Sequence, residues 1–220
     1  KTIWGNVKNL FAAKIAYYIY SSTDNIVVST IVSTVSVGYM VNYTTITSNL
    51  KTLANSIFNP ITPIIGNMVA EKDNHVDEEY ICRVYTYVRY IIACLIIIPM
   101  IILIQDFIAA WVGEQYLLST FIVWLYGLDL YVFFVHGPLC DFINTNGLFK
   151  DERNIEILGA VCNIVSSVFL AHILGIAGVL IGTVFSQMVF WIGRSIIAYK
   201  KCFHSSKKAY AMYWVKNAVY

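Results

Sequence analysis

The polar residues of this chain that could bind a ligand lie within long apolar stretches. The largest set follows steps of three and four residues, which places all its members on one side of a helix: Thr45, Ser48, Thr52, Asn55 and Asn59. Lys51 borders this stripe, and an ammonium group in a low-dielectric cavity suits a phosphate or a carboxylate. We therefore expect the stripe, together with Lys51 and Asn42, to line a polar cavity that binds a ligand. Lys51 could instead pair with Asp24, or extend to the boundary of the apolar layer.

Three further residues are candidates for coupling to an ion. Asp24 shares a helix face with Tyr17 and Tyr20, and partial desolvation would let its carboxylate bind and release a proton or Na⁺. Asp129 and His136 share a face of a later helix, where an acid and an imidazole beside a helix break could relay protons. A structural alternative stays open for both helices, in which these side chains are hydrogen-bonded to neighbouring helices and hold the bundle together.

Composition indicates the class of protein. Hydrophobic residues make up 58% of the 220 residues and charged residues 13%, against about 25% charged in ordinary soluble chains. The net charge of +2 gives no basis for binding nucleic acid, which needs a clustered basic face. The chain has no glycine-rich phosphate loop, nucleophile elbow or paired histidines at metal spacing. We expect an integral membrane protein that is not an enzyme and needs neither metal nor cofactor.

The cysteines fit this picture. The five are scattered, and none forms a Cys-x-x-Cys pair. Such a distribution is not that of a disulfide framework or a zinc site. We interpret them as small apolar residues of the core.

Charge-free windows predict an all-α fold, a polytopic transmembrane bundle of about six spans. The predicted helices cover residues 9–33, 37–67, 84–105, 117–147, 155–173 and 177–200. Kinks are expected at Pro60, Pro63, Pro99 and Pro138. Residues 1–202 would form the bundle, and residues 203–220 an interfacial tail or the start of a further helix.

Lys and Arg alternate along the chain in a way that predicts orientation. They occur at both ends and in the second and fourth linkers, and are missing from the other three linkers. The positive-inside rule then puts both ends in the cytoplasm. Arg89 and Arg194 fall near the cytoplasmic helix ends, where we interpret them as interfacial anchors. The hydrophilic second linker, which includes His75, is expected to be a solvated loop or cap.

The order of several short motifs resembles the later part of a known transporter family. The motifs are residues 35–39 (VSVGY), 60–66 (PITPIIG), 108–116 (IAAWVGEQY), 146–150 (NGLFK) and 174–178 (LGIAG). Together with the acid-bearing first helix and the polar second helix, they resemble bacterial polysaccharide flippases (O-antigen, capsule or teichoic type). These belong to the multidrug/oligosaccharidyl-lipid/polysaccharide (MOP) superfamily. The resemblance spans nearly the whole chain, which would be the C-terminal half of such a protein.

The resemblance implies a fold and an activity. Members have 12 to 14 helices in two bundles, and this chain would supply the seventh to twelfth, with a first bundle of the same protein elsewhere. They move a polyprenyl-pyrophosphate-linked oligosaccharide across the bacterial plasma membrane by alternating access. Partners would be this lipid-linked oligosaccharide, membrane lipids and other polysaccharide-assembly proteins.

The resemblance also implies roles for residues of the first two helices. Lys51 would hold the pyrophosphate or an acidic sugar, the asparagines would bind sugar hydroxyls, and Asp24 would couple transport to an ion. A single lysine departs from what a pyrophosphate requires. Either the first bundle carries more basic residues or the substrate differs.

Three alternatives remain. A cation-coupled multidrug antiporter of the same superfamily would use Asp24 as its main ligand, although such pockets are usually more apolar and aromatic. A membrane enzyme of envelope glycan assembly would need a larger outer loop than the short linkers here provide. A purely structural membrane subunit would leave the polar stripe without a purpose.

Overall fold

The computed structural model describes residues 2–71 and 77–203, and all regular secondary structure in these residues is helical. The predicted all-α class is confirmed. The helices are α1 (Thr2–Val27), α2 (Thr34–Phe58), α3 (Ile61–Glu71), α4 (Glu78–Trp111), α5 (Thr120–Thr145), α6 (Phe149–Leu174) and α7 (Ile176–Ile197). Short π-helical turns, Val28–Val32 and Ala198–Cys202, follow α1 and α7, and a 3₁₀ turn, Glu114–Tyr116, follows α4.

Four of these helices are long and apolar enough to cross a membrane: α4, α5, α6, and α7 with its π-helical turn. Many of their large apolar side chains point away from the rest of the chain. On α4, for example, Leu95, Ile102 and Leu103 are all more than half exposed. A soluble protein rarely exposes apolar surface of this extent, whereas lipid solvates it well. The chain is therefore a membrane-embedded helical protein.

The helix predicted over residues 37–67 consists of two helices in the structure. α2 ends at Phe58, the chain turns at Asn59 and Pro60, and α3 begins at Ile61. Pro60 has no N–H to continue the helical hydrogen bonds, and its ring clashes with the preceding turn. By contrast, Pro99 and Pro138 lie inside α4 and α5, which continue past them.

Three other helices begin at least six residues earlier than predicted, among them α1, which begins at Thr2 rather than at residue 9. α4 begins at Glu78 rather than at residue 84, because the Asp77 side chain caps it by accepting the N–H of Tyr80 at 3.0 Å. Two acidic residues in its first turn favour the same start. α6 begins at Phe149 rather than at residue 155, directly after the turn at Gly147, where φ is +70°.

α6 and α7 form a tight antiparallel pair joined at Gly175, whose φ of +58° suits glycine. Gly178 and Gly182 of α7 lie directly against the α6 backbone at Leu170 and Ser167, where a Cβ atom would not fit. α1 packs along α6, and α5 packs against both α7 and α4. α2 and α3 lie on the other side, against α5.

The bundle has two unlike halves. The closed half contains the end of α1, the starts of α2, α5 and α7, and the ends of α4 and α6. It is filled by buried apolar side chains, among them Val28, Met40, Ile104, Ile108, Val123 and Val179. The open half contains the opposite ends of the same helices, and a cavity lies within it.

A polar cluster at Tyr43 connects helices of the closed half. Tyr43 donates its hydroxyl to Oε1 of Gln105 at 2.8 Å and accepts the backbone N–H of Leu118 at 2.9 Å. Gln105 donates in turn to the carbonyl of Leu118 at 2.7 Å. These three bonds join α2, α4 and the segment before α5.

Two predictions concern residues that the structure does not describe. The core of the hydrophilic second linker, with His75, and all of the tail after Phe203 lie outside the described residues.

Candidate functional site: a cavity lined by paired charges

A cavity of about 580 Å³ lies in the open half, lined by α1, α2, α4, α5, α6 and α7. Its charged lining consists of Lys14, Lys51, Arg89, Arg194, Asp141, Glu152 and Glu156. Amides and aromatic rings line the rest, including Asn55, Asn59, Asn144, Gln187, Tyr17, Tyr20, Phe58, Phe133 and Phe190. The lining thus combines four cations with three carboxylates, so an entering ligand meets both signs of charge.

Lys51 is paired with an acid, but the partner is Asp129. The Lys51 ammonium lies 2.6 Å from Oδ2 of Asp129, and 5.4 Å from the centre of the Phe133 ring. The second oxygen of Asp129 accepts the Gln187 amide at 3.1 Å. The pair joins α2 to α5, and the Lys51 side chain keeps 27% exposure. Asp24, the alternative partner considered from the sequence, bonds elsewhere.

His136 extends this hydrogen-bond network, and its neighbours determine which of its ring nitrogens donates. Because Gln187 donates its Nε2 to Asp129, its Oε1 is the acceptor for His136 Nε2, 3.0 Å away. The other ring nitrogen, Nδ1, then accepts from Nη1 of Arg194 at 2.9 Å. These bonds assign a neutral imidazole that carries its proton on Nε2. A second proton on His136 would break the contact with Arg194.

Arg194 is fully engaged. Its Nε and Nη2 grip Glu152 at 3.0 and 2.5 Å, and Nη2 also lies 2.6 Å from Oε1 of Glu156. The arginine is 4% exposed, and the cluster ties α7 to α6. Glu152 and Glu156 are four residues apart on α6, so both face the same guanidinium.

Arg89 is also buried, at 4% exposure. Its guanidinium carbon lies 4.3 Å from the centre of the Phe58 ring, and Nη1 lies 3.1 Å from the Tyr85 hydroxyl and 3.5 Å from Oδ2 of Asp141. The interpretation of Arg89 and Arg194 as interfacial anchors is therefore wrong. Arg89 lies eleven residues after the start of α4, and Arg194 lies in the last turn of α7, but contacts with neighbouring helices bury both side chains.

The sequence contains a signal for one of these two arginines. Two glutamates spaced four residues apart on one face of a membrane helix need a cation opposite them, which is what Arg194 supplies. No comparable local signal identifies Arg89, because Asp141 lies 52 residues further along the chain.

The predicted polar stripe of α2 is divided by the structure. Asn55 and Asn59 line the cavity next to Lys51. Thr45, Ser48 and Thr52 are exposed outside it, and Ser48 and Thr52 donate their hydroxyls to their own helix backbone. Asn42 is half-buried and is not among the cavity residues.

Asp24 belongs to a separate polar cluster between α1, α6 and α7. Its Oδ2 accepts the Thr183 hydroxyl at 2.7 Å, and Thr183 accepts the Asn163 amide at 3.2 Å. Among the described residues, Oδ1 of Asp24 and Oδ1 of Asn163 have no hydrogen-bond partner. Two free acceptor oxygens in a buried cluster could hold a small cation or a proton.

The geometry therefore presents a charged cavity and, one turn away along α7, an oxygen-rich cluster. The cavity suits a polar ligand with anionic and hydroxyl groups. No protein-family model, curated protein or solved structure matches this chain.

Proposed function

We propose that this chain forms one bundle of a MOP-type flippase, which moves a polyprenyl-pyrophosphate-linked oligosaccharide across the bacterial plasma membrane. The observation that carries the proposal is the cavity of about 580 Å³, with Asn55 and Asn59 beside Lys51. Amides bind sugar hydroxyls and an ammonium binds phosphate, so a glycosyl phosphate finds partners for both of its parts.

In this proposal α1 and α2 are two further spans beside the four apolar helices. Both ends of the segment face the cytoplasm, as the distribution of lysine and arginine predicts. The open half then faces the cytoplasm and the closed half faces outward, so the structure corresponds to an inward-facing state. Alternating access would require the closed half to open toward the outside while the cavity closes toward the cytoplasm.

The residues divide into two roles. Lys51, Asn55 and Asn59 contact the substrate, whereas the cluster around Asp24 binds the coupling ion. Asp129 holds Lys51, and His136 supports Asp129 through Gln187. Ser48, Thr52 and Asn42 lie outside the cavity, so in this proposal they do not contact the substrate in the inward-facing state.

A cation-coupled antiporter of organic cations is the second candidate. The free Oδ1 of Asp24 supports it, because a buried carboxylate is the natural ligand of a cationic drug. The two candidates differ in which site binds the substrate. The flippase uses the cavity at Lys51, and the antiporter uses Asp24.

Substrate protection of single cysteines tests the proposal in cells. Cysteines at positions 55 and 59 would be compared with cysteines at positions 48 and 52, in a protein without its native cysteines. A membrane-impermeant thiol reagent should label positions 55 and 59, and accumulated lipid-linked oligosaccharide should reduce that labelling. Labelling at positions 48 and 52 should not respond. No protection of positions 55 and 59 by the oligosaccharide, together with binding of an organic cation that Asp24→Asn abolishes, would favour the antiporter. Absence of both effects would contradict both candidates.

A further inference from the structure

Three cations of the cavity, Lys51, Arg89 and Arg194, differ in how well they are neutralised. Arg194 faces two carboxylates, and Lys51 has one at 2.6 Å. Arg89 has only the 3.5 Å contact with Asp141, a length at which a hydrogen bond is weak. Of these three cations, Arg89 has the loosest ion pair.

Arg194 uses hydrogen-bond donors that have no counterpart contact in Arg89. The side-on edge of the Arg194 guanidinium, formed by Nε and Nη2, grips Glu152 with both nitrogens. In Arg89 the two hydrogen bonds described both leave from Nη1, and Nε has no partner within the described part of the chain. A buried N–H without an acceptor is costly, so this edge has hydrogen-bonding capacity that an anion could satisfy.

Asp141 does not need Arg89 to be satisfied. Its Oδ1 accepts the Thr62 hydroxyl at 3.3 Å, and its Oδ2 accepts the Tyr85 hydroxyl at 3.0 Å. An anion could therefore bind to Arg89 while Asp141 keeps two hydrogen-bond donors.

The surroundings fix the plane of the Arg89 guanidinium. It lies over the Phe58 ring, and it also lies against α5 at Gly137, where a Cβ atom would overlap the guanidinium. Phe58, Gly137 and Asp141 all line the same cavity. The site is preorganised, because the arginine cannot rotate away without losing its aromatic contact.

We propose that Arg89 is an anion-binding residue of the cavity, which binds a phosphoryl oxyanion through its Nε edge. This inference rests on the proposed function and gives the pyrophosphate a further cation beside Lys51. The phosphoryl group could belong to a lipid headgroup or to a free phosphate, and the two sources have the same chemistry at this residue.

The test uses the full chain, purified in detergent micelles, with two probes: inorganic pyrophosphate and farnesyl pyrophosphate. Calorimetric titration would compare the unmodified protein with the double variant Arg89→Gln/Asp141→Asn. The double variant removes the ion pair as a unit, so no buried charge is left uncompensated. Arg83→Gln is the matched control, because Arg83 lies on the same helix, is 43% exposed and is not among the cavity residues.

We expect the double variant to lose about tenfold or more in pyrophosphate affinity, the value of a charge-assisted hydrogen bond, and Arg83→Gln to bind like the unmodified protein. Tighter binding of farnesyl pyrophosphate would assign the anion to a lipid headgroup, and equal affinity would assign it to a free phosphate. Both results support the site. Arg89→Lys keeps the charge but not the Nε edge, so it should bind more weakly than the unmodified protein.

Equal affinity of the double variant and the unmodified protein would overturn the assignment, as would binding of neither probe. The flippase proposal is judged separately, because substrate protection at positions 55 and 59 does not depend on Arg89. If protection is observed and Arg89 has no effect on binding, only the present inference fails.

Discussion

The two halves of the bundle are held together by different interactions. In the closed half, apolar side chains and glycine contacts fill the space between helices, and one polar cluster at Tyr43 joins three segments. In the open half, ion pairs connect helices across a cavity. Packing tolerates no inserted atom, whereas ion pairs can exchange one partner for another. In the proposed function, the open half therefore binds the charged substrate.

The largest expected effect comes from breaking the ion cluster of the open half. Glu152→Ala leaves Arg194 with one carboxylate in a buried position, and loss of a buried charge partner costs about 3–5 kcal/mol. We expect a free energy of unfolding lower by about that amount, measured by denaturant titration in micelles. Glu114→Ala, which changes an exposed glutamate, is the control.

A second variant checks the cause of that loss. Glu152→Ala combined with Arg194→Leu removes both charges and should recover part of the stability. Failure to recover any would mean that the site depends on shape rather than on charge compensation.

The next effect tests the packing of the closed half. Gly178→Ala would push a Cβ atom into the α6 backbone at Leu170, and overpacking of this kind costs typically about 1–3 kcal/mol. Gly38→Ala is matched to it, because Gly38 also lies in a helix but has open space around its Cα. We expect thermal unfolding at a lower temperature for Gly178→Ala only. Equal melting of the two variants would contradict close packing of α6 and α7.

A smaller loss of stability is expected when a hydrogen bond of the Tyr43 cluster in the closed half is removed. Tyr43→Phe removes a hydroxyl that joins Gln105 and Leu118, at a cost of about 1 kcal/mol per hydrogen bond. Amide exchange at Leu118 should accelerate, since its N–H loses its acceptor. Tyr39→Phe provides the comparison, because Tyr39 packs against the Tyr116 ring and no hydrogen bond of its hydroxyl is found among the described residues. Unchanged exchange at Leu118 would show that this end is closed by packing alone.

The smallest effect is expected at the surface of α4. Arg83 pairs with Glu79 at 2.8 Å and is 43% exposed, and such pairs contribute about 0–1 kcal/mol. Arg83→Gln should leave the unfolding temperature nearly unchanged, in contrast to the changes at Glu152. A large loss would mean that the outer face of α4 packs against another protein surface.

The sequence allowed the fold class to be predicted because hydropathy and helix periodicity are local properties. The helical class of the chain follows from its composition and its charge-free windows. Helix ends depend on single side chains and were therefore harder to predict from the sequence. The cap at Asp77 and the turn at Pro60 each moved a boundary by several residues.

The candidate site was predictable only in part. Periodicity brought Asn55, Asn59 and Lys51 to one side of α2, and the structure has all three at the cavity. The partner of Lys51 was not predictable, because Asp129 lies 78 residues further along the chain. Arg89 and Arg194 were misjudged for a related reason. Their nearness to a predicted helix end does not reveal which surface covers them.

One consequence follows from the arrangement of α7. Thr183, Gln187 and Arg194 lie on one side of this helix and bind Asp24, Asp129 and Glu152 respectively. A rotation of α7 would therefore disturb all three contacts at once. Because the contacts share one rigid element, the proposed ion at Asp24 and the proposed substrate in the cavity would be thermodynamically linked whenever either one moves α7, and the linkage would be reciprocal.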